Sequence, residues 1–242
     1  ATDDPLGVAL AKTAGSMLVA AVVYYFFLFH NVTIAVGFVV LMLIHELGHV
    51  IAMKWNGLSA SPPIFIPFLG AVINMRQSPP NALVESVVGI GGPLLGTIGG
   101  LACYGVAVYT QAPQLHHDLL VVAQLAFMLN LFNLLPVPPL DGGRITAAIS
   151  PWLWIPGLAG LGFMMYQEIR GGAGFSLVIL AMVLFYAFPR IRDTLRGQGR
   201  KGAYYRVSRW ASWTMAGLYL SLGATLAYMF FIVMPGFKMF MN

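Results

Sequence analysis

Along the chain, apolar runs long enough to cross a bilayer alternate with short polar or Pro/Gly-rich breaks. They fall at about residues 9–29, 33–53, 83–109, 118–137, 151–167, 173–189 and 210–234. Each supplies roughly 17 to 25 residues, enough helix for a hydrocarbon core about 30 Å thick. Stretches such as Val19 to Phe29 and Phe175 to Phe188 are apolar on every side. A membrane barrel alternates apolar and polar positions, so these runs predict helices instead. The fifth run contains Pro151, Pro156, Gly157, Gly160 and Gly162, which marks it as a full crossing or a tilted, broken or re-entrant element. The expectation is an all-α polytopic membrane protein with six or seven transmembrane helices, residues 1–242 forming one membrane domain.

Two breaks are more than turns. Ser59 to Arg76 is apolar but interrupted by Pro62, Pro63, Pro67 and Gly70; a straight helix is excluded, and short extended pieces dipping into the membrane fit it better. The second follows the fourth run, where Pro136, Pro138 and Pro139 interrupt the helix and Gly142 and Gly143 let the backbone bend, which predicts a broken helix near Asp141. The segment Gly197 to Arg206 is polar and solvated, and no internal repeat, soluble catalytic domain or long linker is visible.

Composition agrees with the pattern: 59% of residues are hydrophobic and 9% charged, with a mean hydropathy of +0.80, far from the balance of a soluble domain. A net charge of +5 would raise nucleic-acid binding for a soluble chain. Here the cations gather in inter-helix loops, most densely Arg190, Arg192, Arg196, Arg200, Lys201, Arg206 and Arg209, the signature of a cytoplasmic face; no nucleic-acid partner is expected. With seven crossings, Lys12, Lys54, Arg76, Arg144 and that cluster share one side, leaving Arg170 and Lys238 on the other. The N-terminus is then cytoplasmic and His30, His116 and His117 lie outside; six crossings would reverse the C-terminus. A lone cysteine, Cys103, excludes an intrachain disulfide. The first run is too long, and too continuous with the next, for a cleavable signal peptide.

Chemistry concentrates in LMLIHELGHVIAMKW, residues 41–55. His45 and His49 are four apart on a helix and share a face, the spacing that lets two imidazoles grip one Zn2+. Glu46, one step around, can reach water at that metal without being a ligand. Two histidines and a carboxylate are expensive to bury in lipid, so a functional reading outweighs an accidental H-E-x-x-H match. The pair needs a further ligand. Asp3, Asp4 and Asp193 lie at the terminus and in the basic loop, Asp118 beside the external histidines and Glu85 at the start of the third run. Asp141 stands on the same side as His45 and His49, in a break that can aim its carboxylate at the metal; the competing reading makes it the N-cap of a short helix starting near Gly143. Gly92, Gly96 and Gly100, spaced by four in the third run, form a small-residue stripe that favours close packing. That packing is read either as a seat for the metal helix or as generic helix contact. Asn130 and Asn133 can each form an interhelical hydrogen bond.

The order His45-Glu46-Leu47-Gly48-His49, a Gly-rich third run, then Asn133-Leu134-Leu135-Pro136 leading into Leu140-Asp141-Gly142-Gly143 resembles the site-2 protease family of intramembrane zinc metalloproteases. The likeness covers about residues 33–150, a catalytic core flanked by spans at 9–29, 151–189 and 210–234. It implies a single Zn2+ held by His45, His49 and Asp141, Glu46 activating water, and Asn133 orienting the substrate near the metal. It also implies that Ser59 to Met75 holds an extended substrate by strand addition, with Phe65, Phe68 and Gly70 meeting it. The peptide-binding and nucleotide-sensing domains of two branches are not expected, which leaves regulation unspecified. The substrate implied is a transmembrane protein cut in the lipid bilayer of a bacterial or archaeal cell, a regulatory membrane protein being a second candidate partner. The site is expected nearer the cytoplasmic face, with a polar path for water near Lys54, Arg76 and Arg144. A substrate helix must unwind locally to expose a peptide bond. The rival reading is a transporter or channel that uses the same four residues as a divalent-cation site; broken helices suit both, but no acidic ladder crosses the external half.

Overall fold

The computed structural model describes residues 5–68, 70–73, 77–171, 174–196 and 203–241. Asp3, Asp4, Met75, Arg76, Arg200 and Lys201, and the side chain of Lys238, lie outside the described set. Among the described residues eight α-helices run in chain order as α1 (Leu6–Tyr24, extended by a π-helical turn, Tyr25–Phe29), α2 (Val32–Trp55), α3 (Ala82–Tyr109), α4 (Pro113–Asn133), α5 (Asp141–Ile149), α6 (Trp154–Gly171), α7 (Gly174–Leu195) and α8 (Arg209–Met241).

Local chemistry sets the helix limits. Asn31 and Asn81 cap α2 and α3, their side-chain oxygens accepting from the N–H groups of Ile34 at 3.1 Å and Val84 at 2.9 Å, which satisfies donors that a helix start leaves unpaired. The end of α2 is closed by Gly57 at φ +70°, with Leu58 N–H donating to the Met53 carbonyl at 2.9 Å and Gly57 N–H to that of Lys54 at 3.0 Å. This paired C-terminal cap requires a residue at ease in the left-handed region. Pro113 opens α4, where its missing N–H costs nothing. The helix stops at Asn133 rather than near 137, because prolines 136, 138 and 139 cannot continue the ladder. It also begins earlier than expected, so His116 and His117 lie in its first turns instead of an external loop.

Five helices among the described residues are long and apolar enough to cross a membrane: Gly7–Phe29, Val32–Trp55, Ala82–Tyr109, Pro113–Asn133 and Arg209–Met234. This corrects the expected six or seven. The run at 151–167 becomes a 3-10 turn, Pro151–Leu153, followed by the 18-residue α6, whose last turn carries Gln167, Glu168 and Arg170; those polar groups lower its hydropathy. Part of the expected span at 173–189 lies outside the described residues. Trp55 at the end of α2, Trp210 and Trp213 at the start of α8 and Tyr109 at the end of α3 are all strongly exposed, as suits aromatic rings at membrane interfaces.

The expected extended segment is a two-stranded antiparallel hairpin, β1 (Ile64–Ile66) and β2 (Gly70–Val72), with Phe65 opposite Ala71. It is fastened to α1: the Thr13 hydroxyl donates to the Pro63 carbonyl at 2.9 Å, and Phe65 N–H donates to the Ser16 hydroxyl at 3.1 Å. The Phe65 side chain is buried with Ala20, Tyr24, Val39 and Met42, joining the hairpin to α1 and α2.

Helix α3 runs through the centre, packed on α2, α4 and α5, while α8 closes the bundle against α4 and α5. The α2–α3 contact is the tightest. A Cβ at Gly48 would overlap the Gly91 carbonyl, and one at Gly91 would lie 2.6 Å from the Gly48 oxygen. Backbone cannot yield as a flexible side chain does, so Gly48→Ala should cost about 3 kcal/mol, read as a lowered thermal unfolding midpoint in detergent. Gly105→Ala, where nothing lies within 4 Å, is the neutral comparison.

Candidate metal centre

Helix α2 places His45 and His49 on the face turned to α3, both buried. The proline turn after α4 leads into α5, which starts at Asp141, also buried. Its glycines make the turn fit: a Cβ at Gly142 would overlap the Leu134 carbonyl, and one at Gly143 the backbone of Pro138. The cap of α5 is Leu140, without a side-chain hydrogen bond. Asp141 is therefore not the N-cap; its carboxylate turns to the imidazoles.

The three side chains meet in a near-equilateral triangle. His45 Nε2 and His49 Nε2 are 3.2 Å apart, and each lies 3.2 Å from Asp141 Oδ2. Ligands about 2.0 to 2.1 Å from a tetrahedral zinc stand roughly 3.3 Å from one another, so the triangle has the size of three corners of such a site. Among the described residues this is the one His/Cys/Asp/Glu group that brings ligand atoms so close.

Outer contacts fix which nitrogens are available. The amide of Asn130 donates from Nδ2 to the Ala126 carbonyl at 2.7 Å, which leaves Oδ1 as an acceptor 2.8 Å from His45 Nδ1. His49 Nδ1 lies 2.8 Å from the carbonyl of Val88. Both partners can only accept, so each Nδ1 carries the proton and each Nε2 presents its lone pair to the triangle. Such pairing orients histidine ligands and strengthens them. Arg144, one turn along α5, places Nη1 3.7 Å from Asp141 Oδ1, the oxygen turned away from the imidazoles. The donor set, its spacing and its tautomers fit one divalent cation of the zinc type.

Glu46 is half-buried beside the cluster and interacts electrostatically with His49, His45, Asp141 and Arg144. Asn133 is half-buried, and its Nδ2 donates to the Leu129 carbonyl at 3.1 Å; the asparagine that touches a metal-site histidine is Asn130. The glycine stripe divides between two neighbours. Gly92 faces the imidazoles, where a Cβ would overlap His49 Nε2 and lie 2.8 Å from His45 Nε2. Gly96 and Gly100 face α4, against Asn130 and Phe127. In the hairpin, Phe65 points into the core, Phe68 adopts φ +66° with its ring edge-on to Tyr24, and Gly70 opens β2 at φ +91°. The Val88 carbonyl had no signal in the sequence, since a backbone acceptor is the same at every position.

Apolar helices long enough to span a membrane bring the two histidines of an H-E-x-x-H helix and a carboxylate from a separate short helix into one buried His2Asp cluster, the mark of the metal-binding class of membrane protein. The profile of peptidase family M50 matches residues 33–121 and 110–154, and the chain belongs to that family of intramembrane zinc metalloproteases. It is also similar to a zinc metalloprotease of Methanocaldococcus jannaschii, with 32% identity over 145 residues. The match covers 60% of this chain and 40% of that protein's length.

Two substitutions check the centre. Asn130→Leu removes the acceptor for His45 Nδ1 and should weaken zinc binding about 10- to 100-fold, measured by competition with a chromogenic chelator. Gly92→Ala puts a methyl group against the Nε2 atoms, and the purified protein should contain far less than one zinc per chain by elemental analysis.

Proposed function

We propose that the protein is an intramembrane endopeptidase that hydrolyses peptide bonds of transmembrane protein substrates with one zinc ion held by His45, His49 and Asp141. The observation that carries this reading is the 3.2 Å triangle of donor atoms with Glu46 beside it on α2. Bound there, a zinc ion would supply Lewis acidity, lowering the pKa of water to about 7 and polarising a peptide carbonyl. Glu46 takes the proton of the attacking water and returns it to the leaving nitrogen. The Nδ1 hydrogen bonds keep both imidazoles in the ligating tautomer throughout. Arg144 holds the outer oxygen of Asp141, and Asn133, in the last turn of α4, orients the substrate carbonyl.

The hairpin supports a mode of substrate binding. Since Phe65 N–H points away from β2 to Ser16, the Phe65–Ala71 pair is of the type whose backbone groups face outward. The Ala71 groups then lie on the outer edge of β2, where no described residue bonds them, and an unwound substrate segment can add there as a third strand. Phe65 and Phe68 secure the hairpin and Gly70 its turn. The cations Arg190, Arg192, Arg206 and Arg209 flanking the loop after α7 support a cytoplasmic side for that loop and for the N-terminus, with the metal nearer that face, in a membrane of bacterial or archaeal type. Five crossings give α8 the same direction that seven would have given it.

The cation-transporter reading is disfavoured by the other buried carboxylates. Asp118 is held by Asn31 at 3.1 Å and Gln114 at 2.8 Å, and Glu85 is chelated by Arg190; neither extends the metal site into a path. Glu46→Gln separates the two readings. The variant should retain one zinc per chain and lose cleavage by at least about a hundredfold, assayed by co-expression with tagged membrane proteins and comparison of fragments with the wild type. Undiminished cleavage would remove Glu46 from the proton-transfer role.

A further inference from the structure

Behind the metal centre lies a second buried polar group that supplies no metal ligand. Glu85, in the first turn of α3, is only 2% exposed. Arg190 of α7 donates to both its oxygens, at 2.7 and 2.9 Å, and the Tyr204 hydroxyl donates to one of them at 2.6 Å. The Arg190 guanidinium also lies over the ring of Trp154, 5.4 Å from its centroid. Trp154, 1% exposed and the largest fully buried side chain, donates its indole N–H to the Gly143 carbonyl at 2.9 Å. Gly143 is in the first turn of α5, two residues after Asp141.

Both ends of this chain of contacts reach the metal ligands. At one end, Glu85 sits one helical turn before Val88, whose carbonyl fixes His49, and before Gly89, whose missing Cβ would meet the Asp141 carbonyl at 3.2 Å and Arg144 Cβ at 3.1 Å. At the other end, Trp154 grips the backbone of α5 itself. A nine-residue helix has little stability of its own, so its position depends on what it is bonded to. A buried ion pair is an expensive way to hold helices together where apolar packing would serve, which points to a geometric task.

We propose that Glu85, Arg190 and Trp154 are positioning residues that lock α5 onto α3 and so hold the Asp141 carboxylate at ligating distance from His45 and His49. The inference rests on the metal-site reading above. It makes the α6–α7 pair part of the metal centre's support, although neither helix offers a ligand.

Cobalt binding to the purified full chain in detergent tests it, because Co2+ reports affinity by titration and coordination by its visible absorption. Trp154→Phe keeps an aromatic ring under Arg190 and deletes the donor to Gly143; the double variant Glu85→Gln/Arg190→Gln removes both charges together, leaving neither unpaired. Each should bind Co2+ about tenfold more weakly than wild type, with altered visible absorption and unchanged far-UV helicity. Arg192→Gln, at the exposed pair with Asp193, should bind as wild type does. Wild-type affinity and spectrum in both network variants would overturn the proposal, and so would loss of helicity in both, which would assign the network to stability alone. Wild-type protein that fails to bind Co2+, or His45→Ala protein that binds it equally well, would instead remove the metal site on which the proposal stands.

Discussion

Three electron-rich atoms held 3.2 Å apart inside an apolar bundle are the constraint around which this structure is organised. Lone pairs at that spacing repel, and lipid offers no water to separate them. A divalent cation turns the repulsion into attraction, but only if every donor is already aimed. The aiming is done by neutral acceptors, Asn130 Oδ1 and the Val88 carbonyl, which accept hydrogen bonds from the Nδ1–H groups. It depends equally on empty space: Gly92 leaves room over the imidazoles, and Gly48 with Gly91 lets α2 and α3 approach to backbone contact.

The elements divide accordingly. Helices α2 to α5 supply or seat every donor, and the family match, residues 33–154, runs from α2 to the first residue of α6. The hairpin and α1 form a separate layer held to α2 by an aromatic cluster in which Tyr24 packs against Phe29, Phe38 and Phe68. Helix α8 lies on the opposite flank, its Tyr219 hydroxyl donating to the Leu134 carbonyl at 2.5 Å, directly over the proline turn that leads to Asp141.

What could be read from the chain alone follows the physics of each signal. Spans α1, α2, α3 and α8 were legible because continuous apolarity over a bilayer's width has few explanations. The cluster of His45, His49 and Asp141 was legible because charged groups in such runs are costly, and because three prolines before Asp141 break the helix where a carboxylate can turn aside. The count of crossings was not, since α6 mixes apolar residues with Gln167, Glu168 and Arg170 in a way that composition does not decide. Nor was the division of the glycine stripe: Gly92, Gly96 and Gly100 share a spacing, but the rotation of α3 between two neighbours is a tertiary property. Asn130 and Asn133 look alike in sequence; only the packing of α4 on α2 selects Asn130 as the partner of His45.

The placement of Asp141 beyond a proline turn, on its own short helix, also bears on how the protein is made. A chain emerges from the ribosome N-terminus first, so α2 and its two histidines enter the bilayer well before the carboxylate exists. The His2Asp cluster is complete only after α4 has inserted and the chain has turned into α5. Until then the nascent protein carries two of the three donors without the third, and whatever a bound cation would do there is deferred until the middle of the chain has been made.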